Sequence, residues 1–510
     1  MPADNKRIAK NTMVLYFRQI IVMIVGLYTS RIILQSLGVV DYGIYGIVGG
    51  VVGFMGFLNA TLSTSSSRFI TYALGEGDFD KSKRTFSTTL TVHVILGLLI
   101  LLIGEIVGIY MIYNQLNIPE ERLASAVIAF QISIFTTAIG VSQVPYSACM
   151  VSHEDFSLVA YMAIWDVVAR LLIAFGLLFY GGDKLILFAG LLFANSVGVM
   201  LFYRFYCAYK YKEAIFKLHI DNEIFRQIAS FSGWNLIYQF VYTLNAEGTT
   251  VLIGMFFNPA IVAAKTISVK VNSMTTQFIG QFRAASAPQI VKSYAQHDIN
   301  AFKQLLMSSG KYSFYIMWIM TLPICLLCSP LLKLWLGDVP EYAVVFVQLI
   351  MIDSLFWLFD VSFNQGIVAT GYMKMNTIYS SIANLFRFPI VYIFFKLGFS
   401  PVSSFVISIC FGALIGCIIK PWIIIRLVKG FSFKDFIRVY TNCWLIAGIS
   451  AIFPYFLTFI IDKNTFVGFI FIGSMSVLSA IIVIYILGID KMMRKKVNKF
   501  IVEKVRIYRK

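Results

Sequence analysis

Residues 68–81 read Arg68-Phe-Ile-Thr-Tyr72-Ala73-Leu-Gly-Glu-Gly-Asp78-Phe-Asp-Lys81, and residues 288–301 read Pro288-Gln-Ile-Val-Lys-Ser-Tyr294-Ala295-Gln-His-Asp298-Ile-Asn-Ala301. Each stretch is a Tyr-Ala pair followed by a short acidic turn and an amphipathic run, and the two Tyr-Ala pairs are 222 residues apart. Two long apolar segments precede each turn, with boundaries that repeat at about the same offset. That spacing marks a duplicated chain, and the nature of the apolar segments decides what was duplicated.

The segments belong in lipid. Of 510 residues, 59% are hydrophobic and only 13% charged, where a soluble chain carries about 25% charge. The 46 Phe and 27 Tyr have no soluble fold to hide in, so a soluble enzyme, a secreted disulfide scaffold and a disordered chain are all excluded. At about 20 apolar residues per crossing, fourteen spans are expected, at approximately 13–36, 43–66, 87–113, 122–146, 157–180, 184–207, 229–257, 259–285, 311–336, 342–370, 377–396, 401–427, 440–461 and 465–488. The first is about twice the length of a signal-peptide core and no small-residue cleavage site follows it. Thirty Lys and Arg fall on the side of the N-terminus and five on the other. The positive-inside rule therefore expects both termini in the cytoplasm, and the net charge of +17 is read as a topology and headgroup signal, with no nucleic-acid partner.

Six spans separate the repeated turns, an even number, so the two halves share one orientation. The expected fold is an all-α polytopic membrane protein: one six-helix lobe over 1–210, a second over 211–430, two additional spans within 431–490 and a basic tail over 491–510. Parallel repeats about an axis along the membrane normal are a transporter design.

Ionisable groups in hydrocarbon cost roughly 2.5–3.5 kcal/mol at mid-helix, so they face cavities or partners. Twelve lie inside the expected spans: Arg18, Arg31, Glu105, Asp166, Arg170, Glu247, Lys265, Lys270, Asp353, Asp360, Arg387 and Lys420. Asp166 and Arg170 stand at i, i+4 and can neutralise each other. Lys265, Ser268, Asn272, Thr276 and Arg283 recur at helical steps, drawing a polar stripe expected to face water; Asp353, Asp360 and Asn364 repeat the pattern. Gly46, Gly49, Gly50, Gly53 and Gly56 instead suggest close helix packing. Arg18, Arg31, Lys265, Lys270, Asn272 and Arg387 are the substrate-binding candidates, and Asp166, Glu247, Asp353 and Asp360 the candidates for ion coupling.

Bond chemistry has no visible seat. There is no phosphate-binding G-x-x-x-x-G-K-[ST] motif, no Ser/His/Asp constellation and no long outer loop for a sugar polymerase or ligase. The seven cysteines lie in or beside apolar stretches, Cys325 and Cys328 lack a second pair, and the four His are scattered, so no metal or cofactor site is expected. Transport without catalysis is the surviving class.

At that point the chain resembles bacterial polysaccharide flippases of the multidrug/oligosaccharidyl-lipid/polysaccharide exporter superfamily. The resemblance rests on Asn11-Thr-Met-Val-Leu-Tyr-Phe-Arg18, Leu27-Tyr-Thr-Ser-Arg31, Leu37-Gly-Val-Val-Asp-Tyr-Gly43-Ile-Tyr45, Ser232-Gly-Trp-Asn235, Pro288-Gln-Ile-Val-Lys-Ser-Tyr294 and Leu334-Trp-Leu-Gly337. It implies a V of two lobes around a central cavity, alternating between inward- and outward-open states in the bacterial inner membrane. It also implies an undecaprenyl-diphosphate-linked oligosaccharide as substrate, the repeat unit of an O-antigen, capsule or exopolysaccharide, moved to the periplasmic leaflet. The arginines of the first span match the family's tendency to carry cavity arginines there, and a diphosphate suits cationic partners in low dielectric. Proton or sodium coupling is compatible with the carboxylates, and the architecture needs no second chain. The alternatives are a cation-coupled multidrug extruder of the same superfamily and a membrane polymerase or ligase.

Overall fold

A computed structural model describes residues 5–153, 155–215, 217–490 and 494, with side chains from Met23 onward at all but a few positions. No strand occurs among the described residues. The helices are α1 (Asn5–Phe54), α2 (Gly56–Gly75), α3 (Phe79–Ile103), α4 (Ile109–Asn114), α5 (Glu120–Ser152), α6 (Phe156–Leu178), α7 (Lys184–Lys210), α8 (Asn222–Thr243), α9 (Thr249–Phe256), α10 (Pro259–Ala295), α11 (Ile299–Leu326), α12 (Cys328–Leu336), α13 (Ala343–Thr370), α14 (Met373–Lys396), α15 (Val402–Leu414), α16 (Lys420–Leu427), α17 (Phe433–Ile460) and α18 (Phe466–Val483). Single π turns join α3 to α4 (Gly104–Gly108), α8 to α9 (Leu244–Gly248) and α15 to α16 (Ile415–Ile419), and another follows α18 (Ile484–Gly488).

Short polar residues start these helices. Asp183 accepts from the Leu185 and Ile186 amides, and Asp221 from those of Glu223 and Ile224. Ser432 and Asp435 form a reciprocal capping box at α17. Each side chain satisfies amide donors that the first helical turn leaves unpaired.

The repeated turns are alike at the level of single hydrogen bonds, with a register that differs from the Tyr-Ala alignment. Gly77 N–H reaches Leu74 O at 3.1 Å and His297 N–H reaches Tyr294 O at 3.0 Å. Gly77 and His297 both have positive φ, 74° and 58°. Asp78 then caps α3 through the Lys81 amide (3.0 Å), and Asp298 caps α11 through that of Ala301 (2.9 Å). The turns therefore correspond at an offset of 220, which pairs Leu74 with Tyr294 and leaves the two Tyr-Ala pairs out of register.

Among the described residues, ten helices are long and apolar enough to cross a membrane, or eleven if α11 and α12, bent by 79° at Leu327, form one span. The chain is thus a multi-pass membrane protein, but the expected count of fourteen exceeds this number. The difference lies in 43–66, 229–257 and 259–285. These are helical, but α2 carries the run Ser63-Thr-Ser-Ser-Ser-Arg68 and α10 carries three lysines and an arginine among its hydroxyl and amide side chains. Polar content, not helix length, removes them. Gly38 breaks α1 with φ 77° and ψ 169°, a conformation open to glycine, and no proline marks that kink in the sequence.

The chain divides into two compact units. The first comprises Met1–Thr266, Asp338–Glu341 and Asn384–Pro401; the second comprises Ile267–Gly337, Tyr342–Ala383 and Val402–Lys510. In the first unit, Ile70, Phe86, Leu90, Tyr146, Met150 and Tyr203 form a buried core. In the second, Phe314, Phe359, Phe363 and Phe436 form a chain of ring contacts with centroids 5.1–6.1 Å apart, and Trp444 sits edge-on to Phe314.

The glycines of the second expected span pack as their spacing suggests, within the first unit, but not all of them take part. A Cβ at Gly46 would meet Thr266, one at Gly50 would meet Thr250, and one at Gly53 would stand 3.2 Å from Glu247 Cδ. Gly43, outside the expected stripe, faces the Pro259 carbonyl. Gly49 and Gly56 have nothing within 4 Å of that position.

Candidate functional site: charged groups inside the helices

In the first unit, the π turn Leu244–Gly248 gathers polar atoms at a point where three helices meet. Gly53 of α1 lies against Glu247. Asn245 Nδ2 donates to Val241 O at 2.9 Å and to Asn384 O at 2.8 Å, tying the turn to α14. Lys265, 6% exposed on α10, donates from Nζ to Ala246 O at 3.2 Å. Lys265 is near enough to both Glu247 and Arg387 to feel their charges. A π turn shifts the backbone ladder by one residue and recurs at functional sites; here it carries a carboxylate that interacts with a lysine 18 residues away in the sequence.

The second unit builds a different network. Lys420, buried at the start of α16, is 3.0 Å from Asp360 Oδ1 and also donates to the side chains of Asn364 and Asn376. Asn376 Nδ2 in turn donates to Asn364 Oδ1 at 2.8 Å. Gly416 makes this possible, because a Cβ there would stand 2.8 Å from Phe356 O of α13. Arg283 Nη2 donates to Val361 O at 3.0 Å, and its own carbonyl accepts from Gln365 Nε2 at 3.1 Å. Ser408 Oγ donates to Asp353 Oδ2 at 2.6 Å, and Asn272 Oδ1 accepts from Ser354 Oγ.

Of the substrate-binding candidates, Lys265 and Arg387 fall in one charged cluster. Asn272 bonds to α13, and Arg31 and Lys270 are half-buried; the side chain of Arg18 lies outside the described residues, as does the tail beyond Arg494. The polar stripe of α10 is not uniformly wet: Lys265 is 6% and Ser268 0% exposed, so these two are packed among helices. Of the coupling candidates, Asp166 is bonded by Arg170 Nε at 2.9 Å, Asp360 is taken by Lys420, and Asp353 accepts from Ser408. Cys325 and Cys328 are free thiols, as are the other five cysteines.

Two features of the first unit were not legible as sites. Arg122 bridges Asp41 (2.6 Å) and Asp183 (2.9 Å), joining α1, α5 and the cap of α7. An open cavity of about 590 Å³ is lined by Ser63, Ser67, Arg68, Thr71 and Tyr72 of α2; the Ser/Thr run before Arg68 is its one sequence signal. Outside the spans, Asp155 accepts from Lys210 Nζ and Tyr206 Oη, both at 2.6 Å. These donors, lysine first, hold its carboxyl down at about 2.

The helical order is that of known transporters. It matches an inward-facing MATE multidrug transporter of the MOP superfamily at 14% identity, with TM-score 0.67, over 83% of this chain and 98% of that one. It matches the lipid II flippase MurJ in an inward closed conformation at 14% identity, with TM-score 0.71, over 93% and 98%. A MOP superfamily transporter from Pyrococcus furiosus, whose binding pocket is described as reversed in polarity, matches at 14% identity, with TM-score 0.53, over 80% and 95%. No curated protein matches the sequence. The fold and the charged helices together define a polytopic membrane protein built like the MOP transporters. The sequence profile of the polysaccharide biosynthesis protein family matches residues 9–344, more than half of the chain, and the chain belongs to that family.

Proposed function

We propose that the protein is a flippase that carries an undecaprenyl-diphosphate-linked oligosaccharide, the repeat unit of an O-antigen, capsule or exopolysaccharide, from the cytoplasmic to the periplasmic leaflet of the inner membrane. It works by alternating access of two six-helix lobes, 1–210 and 211–430, with both termini in the cytoplasm and no bond made or broken. The observation that carries this reading is a polysaccharide biosynthesis family match on a multi-pass fold that keeps cations inside its helices. A buried cation has to be matched by an anion, and a diphosphate headgroup is the anion that polysaccharide assembly brings to a membrane. Lys265 and Arg387 are the first-unit cations that this reading brings to that headgroup. Arg31, Lys270 and Asn272 are the further contacts of this reading, with Arg18 at the start of the same helix as Arg31.

Glu247 and Asp353 are the proposed coupling groups, for a proton or sodium ion, because Asp166 and Asp360 are held in ion pairs. A cation-coupled multidrug extruder is the second reading, and the MATE-like fold favours it to that extent. Deletion of the gene separates the two. A flippase leaves lipid-linked repeat units on the cytoplasmic leaflet and removes surface polysaccharide, whereas an extruder leaves polysaccharide intact and gives new drug sensitivity.

A further inference from the structure

Cys149 and His153 are one helical turn apart at the C-terminal end of α5, so they share a face. Glu213 arrives from the segment that leaves α7. The Tyr211 amide closes that helix on Cys207 O at 2.8 Å, and the Ala214 amide returns to Tyr211 O at 3.0 Å. This turn places the Glu213 carboxylate on the His153 imidazole, whose ring stacks on Tyr211 with centroids 4.2 Å apart and planes 8° from parallel. The Cys149 thiol completes the group: its sulfur, a ring nitrogen of His153 and a carboxylate oxygen of Glu213 all lie within 4.8 Å of one another. Cys149 is 0% and Glu213 6% exposed.

We propose that Cys149, His153 and Glu213 bind a zinc ion that fastens the start of the 211–221 segment to α5. One thiolate, one imidazole and one carboxylate make the borderline-soft donor set that suits zinc. The charges balance, since a thiolate and a carboxylate neutralise a divalent cation while the imidazole stays neutral. The neighbouring ammonium of Lys210 is engaged by Asp155 at 2.6 Å and does not upset that balance. Ligand atoms on a tetrahedral zinc lie roughly 3.4 Å apart, given bonds of about 2.0–2.3 Å. Side-chain torsions of the three ligands supply the closure from the observed spread, and a fourth position is left for water. Further along, the same segment is already bound to α3. The His219 amide donates to Thr91 Oγ1 and the Asp221 amide to Thr88 Oγ1, both at 2.9 Å, and Arg84 pairs with Asp221 at 3.3 Å. The zinc adds a second anchor to the connection between α7 and α8.

The test uses the purified full-length protein in detergent and the metal alone. Cobalt(II) added to metal-stripped protein gives a thiolate-to-cobalt charge-transfer band that saturates at one equivalent and is displaced by zinc. Cys149→Ser abolishes the band. His153→Ala, at an exposed residue, weakens cobalt binding by roughly tenfold or more while the variant keeps its helical circular dichroism. Cys410→Ser, at an exposed thiol elsewhere, leaves the band unchanged. Wild-type protein without the band, or cobalt binding that His153→Ala leaves unaltered, overturns the proposal.

Discussion

The Lys420 ammonium stands 3.0 Å from the Asp360 carboxylate, with the lysine side chain 4% and the aspartate 24% exposed. A pair this deep is held by its surroundings, the amides of Asn364 and Asn376 among them, and breaking it strands a charge. Lys420→Met is therefore expected to destabilise the protein by about 3 kcal/mol. Lys420→Met combined with Asp360→Leu recovers most of that loss. Thermal unfolding of the detergent-purified variants measures both, and a double variant no more stable than the single one contradicts the pairing.

The glycines of α1 give a prediction with an internal control. An added methyl at Gly43 collides with the Pro259 carbonyl, whereas one at Gly49 meets nothing within 4 Å. Gly43→Ala is expected to cost about 1–3 kcal/mol through overpacking and to lower membrane abundance, while Gly49→Ala is neutral. Equal abundance of the two variants, quantified in isolated membranes, argues against this packing.

How much of this was legible follows from what each residue touches. The all-α membrane fold was readable because hydropathy is a local property, and the repeated turn because Asp78 and Asp298 cap the helices that follow. Its register was not, since identical Tyr-Ala letters outweighed the backbone feature that matters, the positive φ shared by Gly77 and His297. The stripe of α10 was readable as polar, but burial of Lys265 and Ser268 depends on helices that sequence spacing does not locate. Asp360 with Lys420, and Cys149 and His153 with Glu213, are separated by 60 to 64 residues; only tertiary packing joins them, so scattered histidines suggested no metal cluster.

Outside the membrane, Asp155 provides a pH dependence with a defined sign. Its carboxyl is held at about 2, below the ordinary 3.8, chiefly by Lys210. The stabilisation is fully present above the unfolded-state value and is lost as pH falls through the folded one. The stability difference between wild type and Asp155→Asn is therefore constant above about pH 5 and narrows from pH 4 toward pH 2. Unfolding midpoints across that range check it; a gap that widens on acidification has the wrong sign.

Within the proposed pathway, Arg31→Ala and Lys270→Ala are expected to slow flipping roughly tenfold each, the loss of one charge-assisted contact of about 1.5 kcal/mol, with unchanged membrane abundance. Lys265→Ala reduces flipping and abundance together, because Lys265 is buried and bonded to Ala246 O. Immunoblotting alongside a flipping assay separates the two classes, and wild-type flipping by both Arg31→Ala and Lys270→Ala removes those residues from the pathway.

The most direct test of transport is leaflet translocation by the purified protein in liposomes. An undecaprenyl-diphosphate-linked oligosaccharide is placed in one leaflet and probed from the other by a membrane-impermeant sugar-binding reagent. The account predicts protein-dependent appearance of the sugar on the far side, lowered by Arg31→Ala. Translocation no faster than in protein-free liposomes, from the same preparation that exports a cationic drug against a proton or sodium gradient, contradicts it.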